Sequence, residues 1–343
     1  MVASKQNPVN VKIKIILLIC LLSCGAIQES EVEKINGLCL VAPPYEVLLE
    51  HHTPILDVGA NWVAIIPYAF CSPSQPKVSF DHPRQWQGET TKGITKAIQL
   101  AHQSNLKVMI KPHLWVSGQG WAGDLNYDNS NDIKLWKSSY TEYILHFAKV
   151  AQEHKVEMMS IGTEVRHITT NHPYYWMDLI NQIRAVYKGS LTYSANWDNY
   201  ENISFWDKLD YIGIDAYFPI SESMTPTVEE LLQKAQKTKL NIGNFSNTHL
   251  KKVLFTEFGF KSTNYCTAGH WKSALGNQKP DFEGQANAYE AFFGTYWNED
   301  WFAGGFAWKW HYKHEEAGGI TNYEFTPQNK LAEKILKKQY AKF

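Results

Sequence analysis

The sequence has no excess of charge of either sign, because 33 Lys and Arg residues stand against 34 Asp and Glu residues among 343. Proteins that bind nucleic acid by neutralising phosphates carry clustered Lys and Arg, so this balance argues against a nucleic-acid partner. The chain also lacks a Gly-x-Gly-x-x-Gly motif after its first strand-like segment, a P-loop and a nucleophilic serine elbow. These absences argue against dinucleotide-binding, nucleotide-phosphate and serine-hydrolase sites.

The apolar run near the N-terminus, Ile15–Leu22, is too short to cross a bilayer as a helix. Three lysines precede it, which is typical of a secretory signal. The run ends in Leu-Leu-Ser-Cys24-Gly25, which resembles a bacterial lipobox. We therefore predict a lipoprotein signal peptide over residues 1–23, a lipid on Cys24 and a short tether over residues 24–34. This predicts an exported protein, held at the bacterial cell envelope, in the outer membrane, through the lipid alone.

Cysteine is scarce, with five residues in the whole chain. Cys39 lies in a strand-like run and is expected to be a buried thiol. Cys71 and Cys266 lie in predicted loops and could pair in an oxidising compartment, a question that the sequence leaves open.

Short, nearly continuous apolar runs alternate with amphipathic segments after residue 34, and no linker, repeat or low-complexity stretch interrupts them. Unalternating apolar strands are typical of a parallel sheet buried on both faces. Eight such runs occur, and they are Ile35–Val41, Asn61–Pro67, Leu106–Lys111, Val156–Gly162, Ser190–Trp197, Tyr211–Tyr217, Val253–Phe258 and Gly304–Trp310.

Helical periodicity separates these runs, for example over 133–151, 176–186 and 331–340. Eight strand–helix units over about 300 residues are the count of a closed barrel. We predict an α/β fold, a single (β/α)₈ TIM barrel over residues 35–343. A doubly wound open sheet is the alternative, which the missing glycine motif weakens.

Aromatic residues are abundant, with 13 Trp and 18 Tyr. Flat amphipathic rings suit sugars, whose C–H faces lie on aromatic faces while their hydroxyls seek polar partners. The alternative is that these rings merely brace the loops of the barrel.

Two of the predicted strands end in a carboxylate. Glu164 follows the fourth strand and Glu257 lies at the end of the seventh. Active sites of such barrels lie at the carboxyl ends of the strands, where the two side chains would face each other. A lone Glu there could cap a helix or form a salt bridge, but a facing pair is the apparatus of glycosidic bond cleavage.

This arrangement resembles the clan A glycoside hydrolases, in which the acid/base residue ends strand four and the nucleophile ends strand seven. Within the clan, the chain is similar to glycoside hydrolase family 113, the β-mannanases. The motifs that carry this resemblance are Ile66-Pro67-Tyr68, Lys111-Pro112-His113, Ile161-Gly162-Thr163-Glu164, Thr256-Glu257-Phe258-Gly259 and Trp308-Lys309-Trp310.

The resemblance implies a retaining hydrolase for β-1,4-mannan, glucomannan or manno-oligosaccharides, with Glu257 as nucleophile, Glu164 as acid/base and no cofactor. It also implies that Tyr217, at the end of strand six, hydrogen-bonds the nucleophile. One departure is Thr163, because most clan members have Asn before the acid/base Glu. The usual contact with the sugar 2-hydroxyl therefore cannot be transferred.

Other strand ends supply candidate substrate contacts. Lys111 and His113 could bind hydroxyls and shift the carboxylate pKa values. Of Trp308 and Trp310, one could form the floor of the sugar site while the other braces it. The loop 114–131 is a natural wall for a cleft. The full set of predicted substrate-binding residues is Lys111, His113, Trp115, Asn196, Trp197, Trp308 and Trp310.

Alternatives to a β-mannanase remain at this stage. The same barrel could act as a β-glucanase or as an exo-β-mannosidase, since cleft shape decides between them. The chain could also be a non-catalytic surface lipoprotein that binds glycans, although two converging carboxylates argue against that. The pair His311 and His314 lacks the helical context of a zinc motif, so no metal site is predicted.

Overall fold

The structure is a computed structural model that describes residues 1–4, 33–118, 120–269 and 278–343. The chain divides into two compact units, residues 1–33 and 34–343, and every element below belongs to the second. Cys24 and nearly all of the predicted signal peptide and tether lie outside the described residues. Among the helices of the described ranges, none is both long and apolar enough to cross a membrane.

Eight parallel strands close into a barrel, and each of the eight predicted runs overlaps one of them. The barrel strands are β1 (Ile35–Leu40), β2 (Trp62–Ile65), β5 (Lys107–Ile110), β7 (Met158–Thr163), β8 (Ser190–Asn196), β9 (Ile212–Asp215), β10 (Val253–Phe258) and β11 (Phe302–Trp310). Strand β1 pairs with both β2 and β11, which closes the sheet. The predicted (β/α)₈ barrel is therefore confirmed, and the open doubly wound sheet is wrong.

The barrel strands are apolar throughout because both of their faces are buried. One set of side chains, including Trp62, Met109 and Phe306, packs together inside the barrel. A larger set packs between the strands and the outer helices. Packing explains the glycine at position 37 on β1, because a Cβ there would lie 2.3 Å from the ring of Phe306. The glycine thus leaves room for an aromatic ring in the barrel interior.

Nine α-helices surround the barrel in the described residues, and each of the three predicted helical patterns falls within one of them. Side chains cap several of the helices, as Thr90 does by accepting a hydrogen bond from the backbone N–H of Gly93. The helices are α1 (Thr53–Asp57), α2 (Thr91–Gln103), α3 (Ser130–Glu153), α4 (Arg166–Asn171), α5 (Pro173–Val186), α6 (Val228–Lys234), α7 (Gln236–His249), α8 (Phe282–Tyr296) and α9 (Leu331–Tyr340).

A small second sheet of β3 (Tyr68–Ser72), β4 (Gln75–Ser79) and β6 (His113–Val116) rises above the barrel. No pattern in the sequence predicted this sheet, and it corrects two assignments. His113 begins β6 and does not end a barrel strand, and the first residues of the predicted loop 114–131 belong to the same strand. The reason is that proline follows β2 and β5, and proline cannot donate to the ladder.

The three cysteines of the described barrel unit, Cys39, Cys71 and Cys266, are free thiols. Cys39 and Cys71 are buried in β1 and β3. The pairing of Cys71 with Cys266 that the sequence left open does not occur in this structure.

Candidate active site

Glu164 and Glu257 both lie at the carboxyl end of the barrel, as predicted. Glu257 is the penultimate residue of β10, and Glu164 directly follows β7. Glu164 has a positive φ of 52°, which is uncommon for a residue with a side chain. Its backbone N–H donates to the carbonyl of Ser194 on β8 at 2.8 Å, and the next N–H donates to the hydroxyl of Tyr193 at 2.9 Å. Neighbouring strand β8 therefore holds this strained conformation in place.

Both carboxylate oxygens of Glu257 accept hydrogen bonds. Nζ of Lys111 donates to Oε1 at 2.5 Å, and the hydroxyl of Tyr217 donates to Oε2 at 2.6 Å. Nε2 of His113 lies 3.3 Å from Oε1. Only 5% of Glu257 is exposed. The contact of Tyr217 is the one that the sequence predicted, and it fixes the plane of the carboxylate.

Lys111 is completely buried and faces a second carboxylate, that of Asp215, whose Oδ2 is 3.3 Å from Nζ. The hydroxyl of Thr256 donates to the other oxygen of Asp215 at 2.7 Å. The prediction that Lys111 binds sugar hydroxyls is therefore corrected, because its side chain has no exposed surface. Its ammonium contacts Glu257, Asp215 and, at 3.0 Å, Nε2 of His113, and the sequence did not indicate the contact with Asp215.

The two carboxylates that Lys111 contacts have pKa values shifted in opposite directions. Burial would raise the pKa of Glu257, but the ammonium of Lys111 and the hydrogen bond with His113 together outweigh burial and lower this pKa to about 2. Burial and the charge of Glu257 instead raise the pKa of Asp215 well above its usual range. One ammonium thus keeps the closer carboxylate ionised, while the more distant one favours its protonated form. Burial and Lys111 also lower the pKa of His113 to about 4, so its ring is neutral at pH 7.

Glu164 has the opposite electrostatic environment. Burial and the nearby negative charge of Glu257 raise its pKa to about 7. The indole N–H of Trp121 donates to Oε2 at 2.5 Å, which favours the ionised form and partly offsets this shift. The cleft therefore holds one carboxylate that is ionised and one that is partly protonated near neutral pH. Acid–base chemistry needs two groups whose pKa values are shifted apart in this way.

Arg166 lies over the indole ring of Trp121. The guanidinium carbon lies 4.6 Å from the centre of the indole ring, a cation–π contact. Arg166 also pairs with Asp124 at 3.3 Å and with Asp198 at 3.4 Å, which joins the loops after β6 and β8. Trp121 and Asp124 lie in the predicted cleft wall, but no pattern in the sequence indicates that Trp121 contacts Glu164, 43 positions later.

The two tryptophans of β11 have different environments. Trp308 is half-buried, and its ring stacks on that of His113 with 5.7 Å between centroids and 9° between planes. Trp310 is completely buried in the outer core. The assignment of Trp310 to substrate binding is therefore corrected: it braces the barrel, and Trp308 is the ring near the carboxylates.

The remaining predicted contacts lie on the rim. Asn196, at the end of β8, is largely buried and its Oδ1 accepts the backbone N–H of Trp197 at 2.8 Å. Trp197 is half-buried, with its ring edge-on to Phe218. Trp115 is 60% exposed on β6. The hydroxyl of Thr163 donates to the carbonyl of Pro112 at 2.9 Å, so it is engaged with the backbone.

A cavity of about 1130 Å³ opens above the second sheet, and the ring of its lining residue Tyr68 lies 5.5 Å from the ring of His113. Tyr68, Trp86 and Trp115 line it, together with the segment that follows Trp308. Small-molecule pockets usually measure about 300–1,000 Å³, so this cavity has room for several sugar units. Among the described residues, no group of three or more His, Cys, Asp or Glu could hold a metal ion.

Comparison with known proteins gives matches of family and of structure. A model of Glycoside Hydrolase Family 113 matches residues 51–330. In structure, the chain is similar to the GH113 β-mannanase of Alicyclobacillus acidocaldarius, with a TM-score of 0.77, 23% identity and coverage of 91% of this chain and 98% of that one. A GH113 β-1,4-mannanase gives 0.75, with 22% identity and coverage of 91% and 100%.

The chain also resembles half of a β-glucuronidase from Ruminococcus gnavus, with a TM-score of 0.61, 13% identity and coverage of 90% and 50%. At these identities the structural likenesses concern the fold alone. No curated protein matches the sequence.

Proposed function

The chain belongs to glycoside hydrolase family 113, and from this membership we propose that it is a retaining β-mannanase that cleaves β-1,4-mannosidic bonds in mannan, glucomannan or manno-oligosaccharides. One observation carries the proposal: two carboxylates share a cleft and have pKa values shifted in opposite directions, to about 2 for Glu257 and about 7 for Glu164. Retaining hydrolysis needs an ionised nucleophile and a protonated acid at the same pH.

In the proposed first step, an oxygen of Glu257 forms a bond to the anomeric carbon as the glycosidic C–O bond breaks. The leaving oxygen takes the proton of Glu164. In the second step, water attacks the same carbon, gives a proton to Glu164 and releases Glu257. Lys111 and Tyr217 hold the carboxylate of Glu257 in position through both steps. Retention requires carboxyl groups about 5–5.5 Å apart, and this spacing is expected here.

The choice of mannan rests on family membership and on two structural neighbours, which are β-mannanases. A β-glucanase or an exo-β-mannosidase could use the same carboxylates. A non-catalytic glycan-binding protein is disfavoured, because binding alone has no need for a buried lysine that keeps one carboxylate ionised beside a protonated second one.

A polysaccharide panel tests the proposed substrate. The purified protein is incubated with mannan, glucomannan, xylan and mixed-linkage β-glucan, and released reducing ends are counted while the products are sized. We expect reducing ends from mannan and glucomannan, with oligosaccharide products. Release from the β-glucan alone would replace the proposed substrate, and mannose as the sole product would indicate exo action.

Substitution of Trp121 by Phe is expected to shift the pH dependence of catalysis. Activity needs protonated Glu164, so kcat/KM should fall as the pH rises through about 7. The Trp121 hydrogen bond favours the ionised form of Glu164, so its loss should raise this pKa and move the alkaline limb up by about one pH unit.

The matched control is Trp301→Phe, because the indole N–H of Trp301 also donates to a glutamate, Glu299, but at the opposite end of the barrel. This variant should keep the pH profile of the wild type. An unmoved alkaline limb in Trp121→Phe would contradict the proposed role of the hydrogen bond.

We also propose that the protein is a lipoprotein of the bacterial envelope, anchored through Cys24. After expression in a bacterium with a lipoprotein pathway, the wild type should partition into the detergent phase of Triton X-114, whereas Cys24→Ala should remain in the aqueous phase. Cys20→Ala, within the apolar run, is the control and should behave like the wild type. Equal partitioning of the wild type and Cys24→Ala would exclude the anchor.

A further inference from the structure

The cavity above the second sheet continues the active site. The ring of Tyr68, which lines it, lies 5.5 Å from the ring of His113, whose Nε2 contacts Glu257. Lys309, another lining residue, directly follows Trp308. A polysaccharide chain that passes Glu257 can therefore extend into this cavity, where Trp86 and Trp115 expose their rings.

Cations outnumber carboxylates in the lining of the cavity, although the whole chain is almost neutral. Lys77, Arg84 and Lys309 line it, and within the described ranges none of the three side chains has an ion pair or a hydrogen bond. A fourth cation, Lys313, pairs with Glu316 at 3.1 Å.

The only other carboxylate in the lining is that of Glu89. The lining therefore holds four cations against two carboxylates, and three of the cations, on three different segments, have no ion-pair partner among the described residues. A neutral mannan offers them nothing to neutralise.

We propose that this cavity binds a segment of the glycan that carries anionic groups, carboxylates or sulfate esters, on sugar residues next to the cleaved bond. Concave surfaces of one charge concentrate ligands of the opposite charge, and the guanidinium of Arg84 matches the planar geometry of two anionic oxygens. The substrate is then a β-mannan-type chain with acidic residues or substituents. This inference rests on the proposed function for its backbone chemistry, but it concerns binding and can be tested without cleavage.

Binding is measured by calorimetry with Glu164→Gln. This variant has an uncharged amide in place of the acid, so it should bind polysaccharide without cleaving it during the measurement. The ligands are glucomannan and the same glucomannan after sparse oxidation of its primary hydroxyls to carboxylates. A sparsely sulfated glucomannan forms a third arm and separates the two anionic sources. We expect about tenfold tighter binding of at least one anionic polymer at low salt, and loss of that preference near 1 M salt, where the Debye length is about 3 Å.

Charge-removing variants in the same Glu164→Gln background complete the test. The double substitution Lys77→Gln with Arg84→Gln, and separately Lys309→Gln, should each reduce the preference for the anionic polymer. Lys337→Gln, an exposed lysine on α9, removes the same charge elsewhere and should keep it. Equal binding of neutral and anionic polymers at low salt, or a preference that Lys337→Gln reduces equally, would overturn the proposal.

The hydrolysis panel distinguishes failure of this inference from failure of the proposed function. If the wild type cleaves neutral mannan but Glu164→Gln binds both polymers equally, only the inference is wrong. If no mannan is cleaved, but the anionic preference and its salt dependence are observed, the inference stands and the proposed reaction is wrong.

Discussion

Glu257→Ala is expected to be inactive on polysaccharide and on an activated aryl β-mannoside alike, with rates lower by a factor on the order of 10⁵ or more. Glu257 is the proposed nucleophile, and without it no glycosyl-enzyme can form, however good the leaving group is. The measurement is kcat/KM on both substrates, with the melting temperature as a check on folding. That check is needed because the substitution leaves buried Lys111 with Asp215 as its one carboxylate partner.

Added azide is expected to restore reaction of this variant with the aryl mannoside. The small anion can occupy the space of the lost carboxylate and attack the anomeric carbon of the aryl mannoside from that face. The product expected from Glu257→Ala is therefore the α-mannosyl azide. Wild-type rates on mannan would show that Glu257 is not the nucleophile.

Glu164→Ala is expected to lose cleavage of mannan by about 10²–10⁴-fold and to keep the first step with an activated aryl β-mannoside. The leaving oxygen of a sugar needs a proton, whereas an aryl group of low pKa departs without one. The intermediate should then accumulate, since no base activates water. Pre-steady-state release of the aryl alcohol measures the first step, and steady-state turnover measures the second.

The azide product assigns the roles of the two residues independently of their rates. In Glu164→Ala, azide attacks the intermediate from the face opposite to Glu257 and should yield the β-mannosyl azide with faster turnover. An α product from this variant would contradict the assignment, as would retention of wild-type activity on mannan.

The sequence by itself determined the fold and the position of the two glutamates. Continuous apolar strands alternating with amphipathic helices can bury both faces of a parallel sheet in few ways, and eight units close it into a barrel. Carboxyl ends of parallel strands meet at one rim, so Glu164 and Glu257 could be assigned to a shared site from strand order alone. The contact between Tyr217 and Glu257 was expected on the same grounds together with the family resemblance.

Only the tertiary structure decided which groups control the two carboxylates. Lys111 reaches Glu257 across 146 positions and Trp121 reaches Glu164 across 43, and no local pattern encodes such distances. Strand alternation likewise predicts Trp308 and Trp310 on one side of β11. The pairing of β11 with β1 is irregular between Ala307 and Trp310, however, and Trp308 packs inside the barrel while Trp310 packs outside it. Periodicity gives the direction of a side chain relative to its own strand. The charge or ring that it contacts there is set by packing against segments distant in sequence. The pKa values that the proposed chemistry requires are therefore set by this packing as well.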